Sequence, residues 1–182
     1  MRKIGRATFI VLIIIGIIGV SKYNTMADLE GSIFEQWENM EFQFQKRADL
    51  VPDIVRVIKE YVQNEQPVID MVITARDSVN SIKLDPLNLT IEDIKMYYDA
   101  QETLGLEIEN LLEMINRHQD LKENQKLLEL KAELEGAENK IIIERRRFNE
   151  KVNQYNEYIF KFPNNLLTSV FNFKKHETLK AY

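Results

Sequence analysis

Residues 123–161 read ENQKLLELKAELEGAENKIIIERRRFNEKVNQYNEYIFK, and the spacing inside this stretch decides the fold. Apolar side chains return at Leu127, Leu130, Leu134, Ala137, Ile141, Phe148, Val152, Tyr155, Ile159 and, just beyond it, Phe162, with Arg145 in the same series. The steps alternate between three and four residues, the period of a helix packed along one seam. A helix over 123–161 would extend about 58 Å. Its one glycine, Gly136, would cost up to about 1 kcal/mol relative to alanine. Gly136 is therefore expected where another helix crosses closely.

Working outward, the same period recurs in three other segments. The first runs through Met26, Leu29, Ile33, Trp37, Met40 and Phe44. The second reads Ile54, Ile58, Tyr61, Glu65, Val68, Val72, Ala75, Val79 and Ile82, and the third Ile94, Tyr97, Gln101, Leu104, Ile108, Leu111 and Ile115. None alternates with period two, so no strands are expected. Pro52, after Asp49, suits the first turn of a new helix, where its missing N–H would be unpaired anyway. Pro67 should kink or interrupt the second segment. Leu84 to Asn88 reads as a loop, and Thr90 with Asp93 as a capping box opening the third segment. Asn88-Leu89-Thr90 is also a formal glycosylation sequon, but capping explains its threonine. Pro163-Asn164-Asn165 ends the fourth segment, and residues 166–173 read as a short amphipathic piece.

Toward the N-terminus, residues 7–21 (ATFIVLIIIGIIGVS) carry no charge. Ala7, Phe9, Ile10, Val11, Leu12, Ile13, Ile14, Ile15, Ile17, Ile18 and Val20 are the residues expected to face lipid. The run rises only about 22 Å against a hydrocarbon core of about 30 Å, but Arg6 and Lys22 can snorkel, so a helix from Ile4 to Tyr23 spans the full thickness. The rival reading is a cleaved signal peptide, with Arg2, Lys3 and Arg6 as its basic region and Gly19-Val20-Ser21 as a small-x-small site. No helix breaker separates the run from Tyr23-Asn24, which favours a retained anchor. Three basic residues before the run place the N-terminus in the cytoplasm and the bundle outside it.

The expected architecture is all-α: an N-terminal transmembrane helix followed by an elongated antiparallel bundle of about four long helices. Residues 1–23 form the cytoplasmic residues and anchor, 24–163 the bundle, and 164–182 a short amphipathic piece with a polar tail. Charged residues make up 29% of 182 positions, with only six glycines and four prolines, a balance of long solvated helices. The net charge of −5 repels a polyanion, so no nucleic-acid partner is expected. Arg145-Arg146-Arg147 lies between Glu144 and Glu150 and reads as a salt-bridged helix face. There is no cysteine, which removes disulfides, thiolate metal sites and cysteine nucleophiles.

No catalytic, cofactor or metal site is expected. Di-iron bundles need Glu-x-x-His pairs, and neither His118 nor His176 has a glutamate three residues before it. Two separated histidines make a poor zinc site, and the chain has no phosphate-binding glycine loop and no nucleophile elbow. His118 reads as a capping or partly buried histidine at a helix end. The charged seam positions say more. Glu65 and Arg145 fall in core register on different segments, and Arg47 lies close to its own seam. A buried lone charge is costly, so each is either paired or turned to solvent. Glu65 and Arg145 are the candidate buried ion pair.

Two blocks resemble the LemA family of bacterial membrane-anchored proteins. The first follows Trp37: Lys46-Arg47-Ala48-Asp49-Leu50-Val51-Pro52-Asp53-Ile54-Val55, then Lys59-Glu60-Tyr61 with Glu65, and Ala75-Arg76. The second comprises Leu121-Lys122-Glu123-Asn124, Glu133-Leu134-Glu135-Gly136-Ala137-Glu138-Asn139-Lys140-Ile141, Arg145-Arg146-Arg147-Phe148-Asn149, Val152, Tyr155-Asn156, Ile159 and Phe162-Pro163-Asn164. With the N-terminal run and Tyr23-Asn24, the resemblance extends over essentially the whole chain. Asp53, Asn64, Phe148 and His118-Gln119 depart from the family's usual Asn, His, Tyr and Tyr-Pro, and none of these changes breaks an apolar seam. The resemblance implies a single-pass membrane protein with a helical soluble part, and it supplies no chemistry. The expected role is a non-enzymatic scaffold or adaptor at the bacterial cytoplasmic membrane, with lipid around the anchor and an unidentified protein, or a second copy of the chain, as partner. The alternatives are a membrane-shaping or envelope-stress component touching lipid through residues 166–175, and a periplasmic binding module released after Ser21.

Overall fold

A computed structural model of the chain describes residues 2–61, 65–85 and 88–180. Among them run six helices and no strand: α1 (Arg2–Lys59), α2 (Gln66–Ser81), α3 (Ile91–Arg117), α4 (Gln119–Lys122), α5 (Gln125–Phe160) and α6 (Asn164–Phe171). The departure at Asn64, the middle of the Leu84–Asn88 loop and the side chains of Ala7, Ile10 and Val11 lie outside the described residues.

The expected break at Pro52 does not occur. α1 carries Pro52 in its interior and continues to Lys59. An interior proline costs about 3 kcal/mol. Val51, Ile54, Val55 and Ile58 are all buried around it, and burying a residue of this size contributes about 1.5–3 kcal/mol. Tertiary burial therefore outweighs the helix penalty, and Pro52 itself sits on the exposed face. The chain breaks instead between Lys59 and Gln66, where Pro67 occupies the first turn of α2. That break resets the register. Tyr61 is exposed, Val68 only half-buried, and Ile69 takes the core position expected of Val68.

Further on, the seams follow the sequence closely. Every residue of the third series from Ile94 to Ile115 is buried, Gln101 included. The capping box is formed: Asp93 N–H donates to Thr90 Oγ1 at 3.2 Å, and Thr90 N–H to Asp93 Oδ2 at 3.0 Å. His118 caps the C-terminus of α3, its Nδ1 lying 3.0 Å from the Met114 carbonyl oxygen. α5 runs unbroken through Gly136 and buries each apolar seam residue from Leu127 to Ile159. Phe162 is the exception. It lies past the end of α5, off the seam, and is 76% exposed. Gly136 also corrects an expectation. A Cβ there would meet nothing within 4 Å, so no helix crosses it.

The chain forms two compact units. The central unit comprises Trp37–Arg146 and Leu179–Tyr182. Its core draws Trp37, Phe44 and Ile58 from α1, Ile69 and Val72 from α2, Leu104 and Ile108 from α3, and Leu130 and Leu134 from α5. Trp37 meets Tyr97 edge-on at 5.7 Å, and Phe44 lies 6.0 Å from Tyr98. The terminal unit comprises Met1–Gln36 and Arg147–Thr178. It buries Met26 and Ile33 of α1 with Phe148, Val152, Tyr155 and Ile159 of α5.

Candidate functional site: a buried arginine network

α3 presents Tyr97, Tyr98, Gln101, Glu102 and Gly105 at helical spacings that place them on one side of the helix. Two arginines from other helices converge on this stripe. Arg47 of α1 is 2% exposed. Its Nη1 donates to Glu138 Oε1 of α5 at 2.6 Å, and its Nη2 to Gln101 Oε1 at 2.8 Å. Nη2 also donates to the Gln101 backbone carbonyl, and the guanidinium carbon lies 5.4 Å from the centre of the Phe44 ring. Gln101 in turn donates from Nε2 to Tyr97 Oη at 3.0 Å.

Gly105 makes that carbonyl contact available. In a helix each Cβ leans toward the N-terminus, so the residue at i+4 covers the carbonyl of residue i. Gly105 stands four residues after Gln101 and has no Cβ, which leaves the Gln101 oxygen open to a second donor. An added Cβ at 105 would sit 3.0 Å from Arg47 Nη1. Burying an arginine costs several kcal/mol unless a charge and acceptors compensate. Here one carboxylate, one amide oxygen, one carbonyl and a ring face do so, while Arg47 Nε has no partner among the described residues.

The second arginine is Arg145 of α5. Its Nη1 donates to Tyr98 Oη at 3.0 Å and lies 3.9 Å from Glu102 Oε1. The Tyr98 hydroxyl donates to the Lys180 carbonyl at 2.6 Å, tying this segment to α3. Burial pushes the Tyr98 hydroxyl up to about 12, with Arg145 opposing and Glu102 assisting. Burial also raises Tyr97. Both phenols therefore stay protonated; Tyr98 both donates and accepts, and Tyr97 accepts from Gln101.

The candidate pair of Glu65 and Arg145 is not formed. Glu65 is the N-cap residue of α2, a third exposed, with His118 Nε2 3.8 Å away. Register placed both residues on seams, but the break before Gln66 moved Glu65 to a helix end. Arg145 is paired with groups of α3. Sequence reasoning passed over Gln101, Glu138 and Gly105 as parts of a site. The available signal was Gln101, a polar residue inside the otherwise apolar third series.

The terminal unit has its own polar cluster. His176 Nε2 lies 2.7 Å from Glu30 Oε1, and the His176 ring stacks on Tyr155 at 4.8 Å. Tyr155 donates to the Lys174 carbonyl at 2.9 Å; burial and nearby Glu30 hold its hydroxyl well above the usual range. Asn156 clasps the His176 backbone twice, donating to its carbonyl at 2.8 Å and accepting from its N–H at 3.0 Å. Among the described residues no three carboxylate or imidazole groups are disposed to hold a metal ion.

These features define an all-helical protein with an arginine network at its core, Arg47 buried and Arg145 half-buried, and a long apolar stretch in α1. The family model of the LemA family matches residues 36–182. The chain belongs to the LemA family, as the two sequence blocks implied. The match takes in the central unit, the whole of α5 and α6, and leaves the apolar run outside it. No curated protein matches the chain.

Proposed function

We propose that this LemA-family chain is a membrane-anchored, non-enzymatic scaffold that displays its helical bundle to a protein partner on the outer side of the bacterial cytoplasmic membrane. The observation that carries the reading is the apolar start of α1. Leu12, Ile13, Ile14, Ile15, Ile17 and Ile18 point in all directions around the helix, and each is 47–65% exposed. A helix apolar all round is buried in lipid or inside a large protein. Burying these six side chains is worth about 9–18 kcal/mol. Retention of the anchor is supported by α1, which continues from the run into the core with no break at Ser21.

The interior supports a scaffold over an enzyme. Arg47 and Gln101 are spent on internal partners and are shut from solvent, so the exterior of the helices is the surface left for recognition. Orientation rests on Arg2, Lys3 and Arg6 before the run. The test is to fuse, after residue 182, a reporter active only outside the cytoplasm, and to crosslink in intact membranes. Reporter signal that resists alkaline extraction, with one protein captured reproducibly, is the expected result. Signal confined to the soluble fraction would overturn the anchor, and a silent reporter the orientation.

A further inference from the structure

α6 exposes a line of two apolar residues four apart, Leu166 at 62% and Val170 at 72%, and the turn before it exposes Phe162 at 76%. Among the described residues nothing in the terminal unit covers this line. The other end of the helix is fixed to a definite place. Phe171 meets the ring of Tyr23 edge-on at 5.0 Å, and Phe173 lies 5.5 Å from the same ring. Tyr23 stands two residues beyond Ser21, the last of the uncharged run. A helix pinned at Tyr23 is therefore held at the level where α1 would leave the hydrocarbon.

We propose that α6 lies in the lipid headgroup layer as an interfacial foot, with Phe162, Leu166 and Val170 inserted among the acyl-chain ends. The inference rests on the membrane-anchored reading and adds a second point of lipid contact. The occupant of the exposed line is lipid because the line continues from the span through the aromatic cluster at Tyr23. Aromatic rings gather at that depth in membrane proteins, and an amphipathic helix buries its apolar face there. Lys174 and Lys175, three and four residues past the end of α6, are exposed, placed to reach phosphate oxygens. Lys22, whose ammonium lies 5.4 Å from the centre of the Tyr158 ring, stands beside Tyr23 at the same level.

The chain has no cysteine, so single-site labelling is clean. Leu166→Cys, Val170→Cys, Ile14→Cys and Glu133→Cys are each made in the full chain, tagged with an environment-sensitive fluorophore and reconstituted into vesicles of mixed zwitterionic and anionic phospholipid. The expected result is blue-shifted emission at 166 and 170, quenching by lipids spin-labelled near the headgroup, and loss of quenching by aqueous iodide. Ile14 should be quenched by labels deep in the acyl chains, and Glu133 by iodide alone. If Ile14 responds as expected while 166 and 170 behave like 133, the foot is overturned and the anchor stands. If Ile14 is also open to iodide, both readings fall.

Discussion

Arg47 and Gly105 are matched across α1 and α3: the arginine reaches the Gln101 carbonyl through the space that a side chain at 105 would fill, with 3.0 Å between Arg47 Nη1 and the position of an added Cβ. Two effects oppose each other when Gly105 becomes alanine. Helix propensity gains about 1 kcal/mol, while overpacking costs about 1–3 kcal/mol. Arginine is flexible at its far end, but Glu138 and Gln101 hold this guanidinium in place. Gly105→Ala is therefore expected to lower stability by about 1 kcal/mol. Gly136→Ala, at an exposed site with open space around it, is expected to raise it by about 0.5–1 kcal/mol. Denaturant unfolding of the detergent-solubilised chain checks both, and equal shifts in one direction would remove the distinction.

Glu138 and Arg47 should be energetically coupled. Glu138 is about a third exposed at its side chain, so solvent screens part of the interaction. A double-mutant cycle with Arg47→Met and Glu138→Gln is expected to give a coupling of about 1–2 kcal/mol. The cycle of Glu65→Gln with Arg145→Met should add within about 0.5 kcal/mol, since the two have different partners. Additivity in the first cycle would show that Gln101 alone holds the guanidinium.

Alkaline pH should unfold the bundle through its phenols. The Tyr98 hydroxyl is raised from its usual 10 to about 12, so the folded state favours the neutral form. The stability it confers is fully present below about pH 10 and is lost as pH rises through 12. That rise corresponds to about 2–3 kcal/mol. Tyr97 and Tyr155 are shifted the same way and steepen the loss. Tyr98→Phe should cost stability at neutral pH and flatten the decline above pH about 10. An unchanged slope in unfolding midpoints would assign the effect to other groups.

The segment after α6 is held by a side-chain amide acting as a strand partner would. Asn156 satisfies both the carbonyl and the N–H of His176, and losing such partners costs about 1–3 kcal/mol per buried group. Asn156→Ala should speed hydrogen exchange and proteolysis across residues 173–178 while α5 stays protected. Asn156→Asp removes the donor and keeps the acceptor, so it should fall between. Equal exchange in all three proteins would mean that Tyr155 and Glu30 suffice to hold His176.

Helical period made the core readable because one apolar residue per turn is enough to define a buried stripe. The series from Ile94 and from Leu127 gave the buried residues almost one for one. Proline was less legible. Pro52 and Pro67 look alike locally, and the choice between them depends on how many buried neighbours each has in three dimensions. The site was harder still. Arg47 and Arg145 were visible as charges in or beside apolar series, but their partners lie on helices remote in sequence. Periodicity fixes a residue's angle around its own helix and says nothing of which helix it faces. Gly105 was missed for the same reason, and Gly136 misread.

The unbroken passage of α1 from its apolar run into the core divides two geometric tasks within one helix. The run offers the same surface at every angle, so what surrounds it sets depth and leaves azimuth free. The azimuth comes from the buried stripe of Met26 and Ile33, which must keep its bearing. An alanine inserted between Ile15 and Gly16 would turn the run by about 100° with little consequence for the fold. The same insertion between Asp28 and Leu29 would swing Ile33 out of alignment with Met26 inside the terminal unit. Length can thus vary in the first twenty residues, while between Met26 and Ile33 the helix tolerates no change of phase.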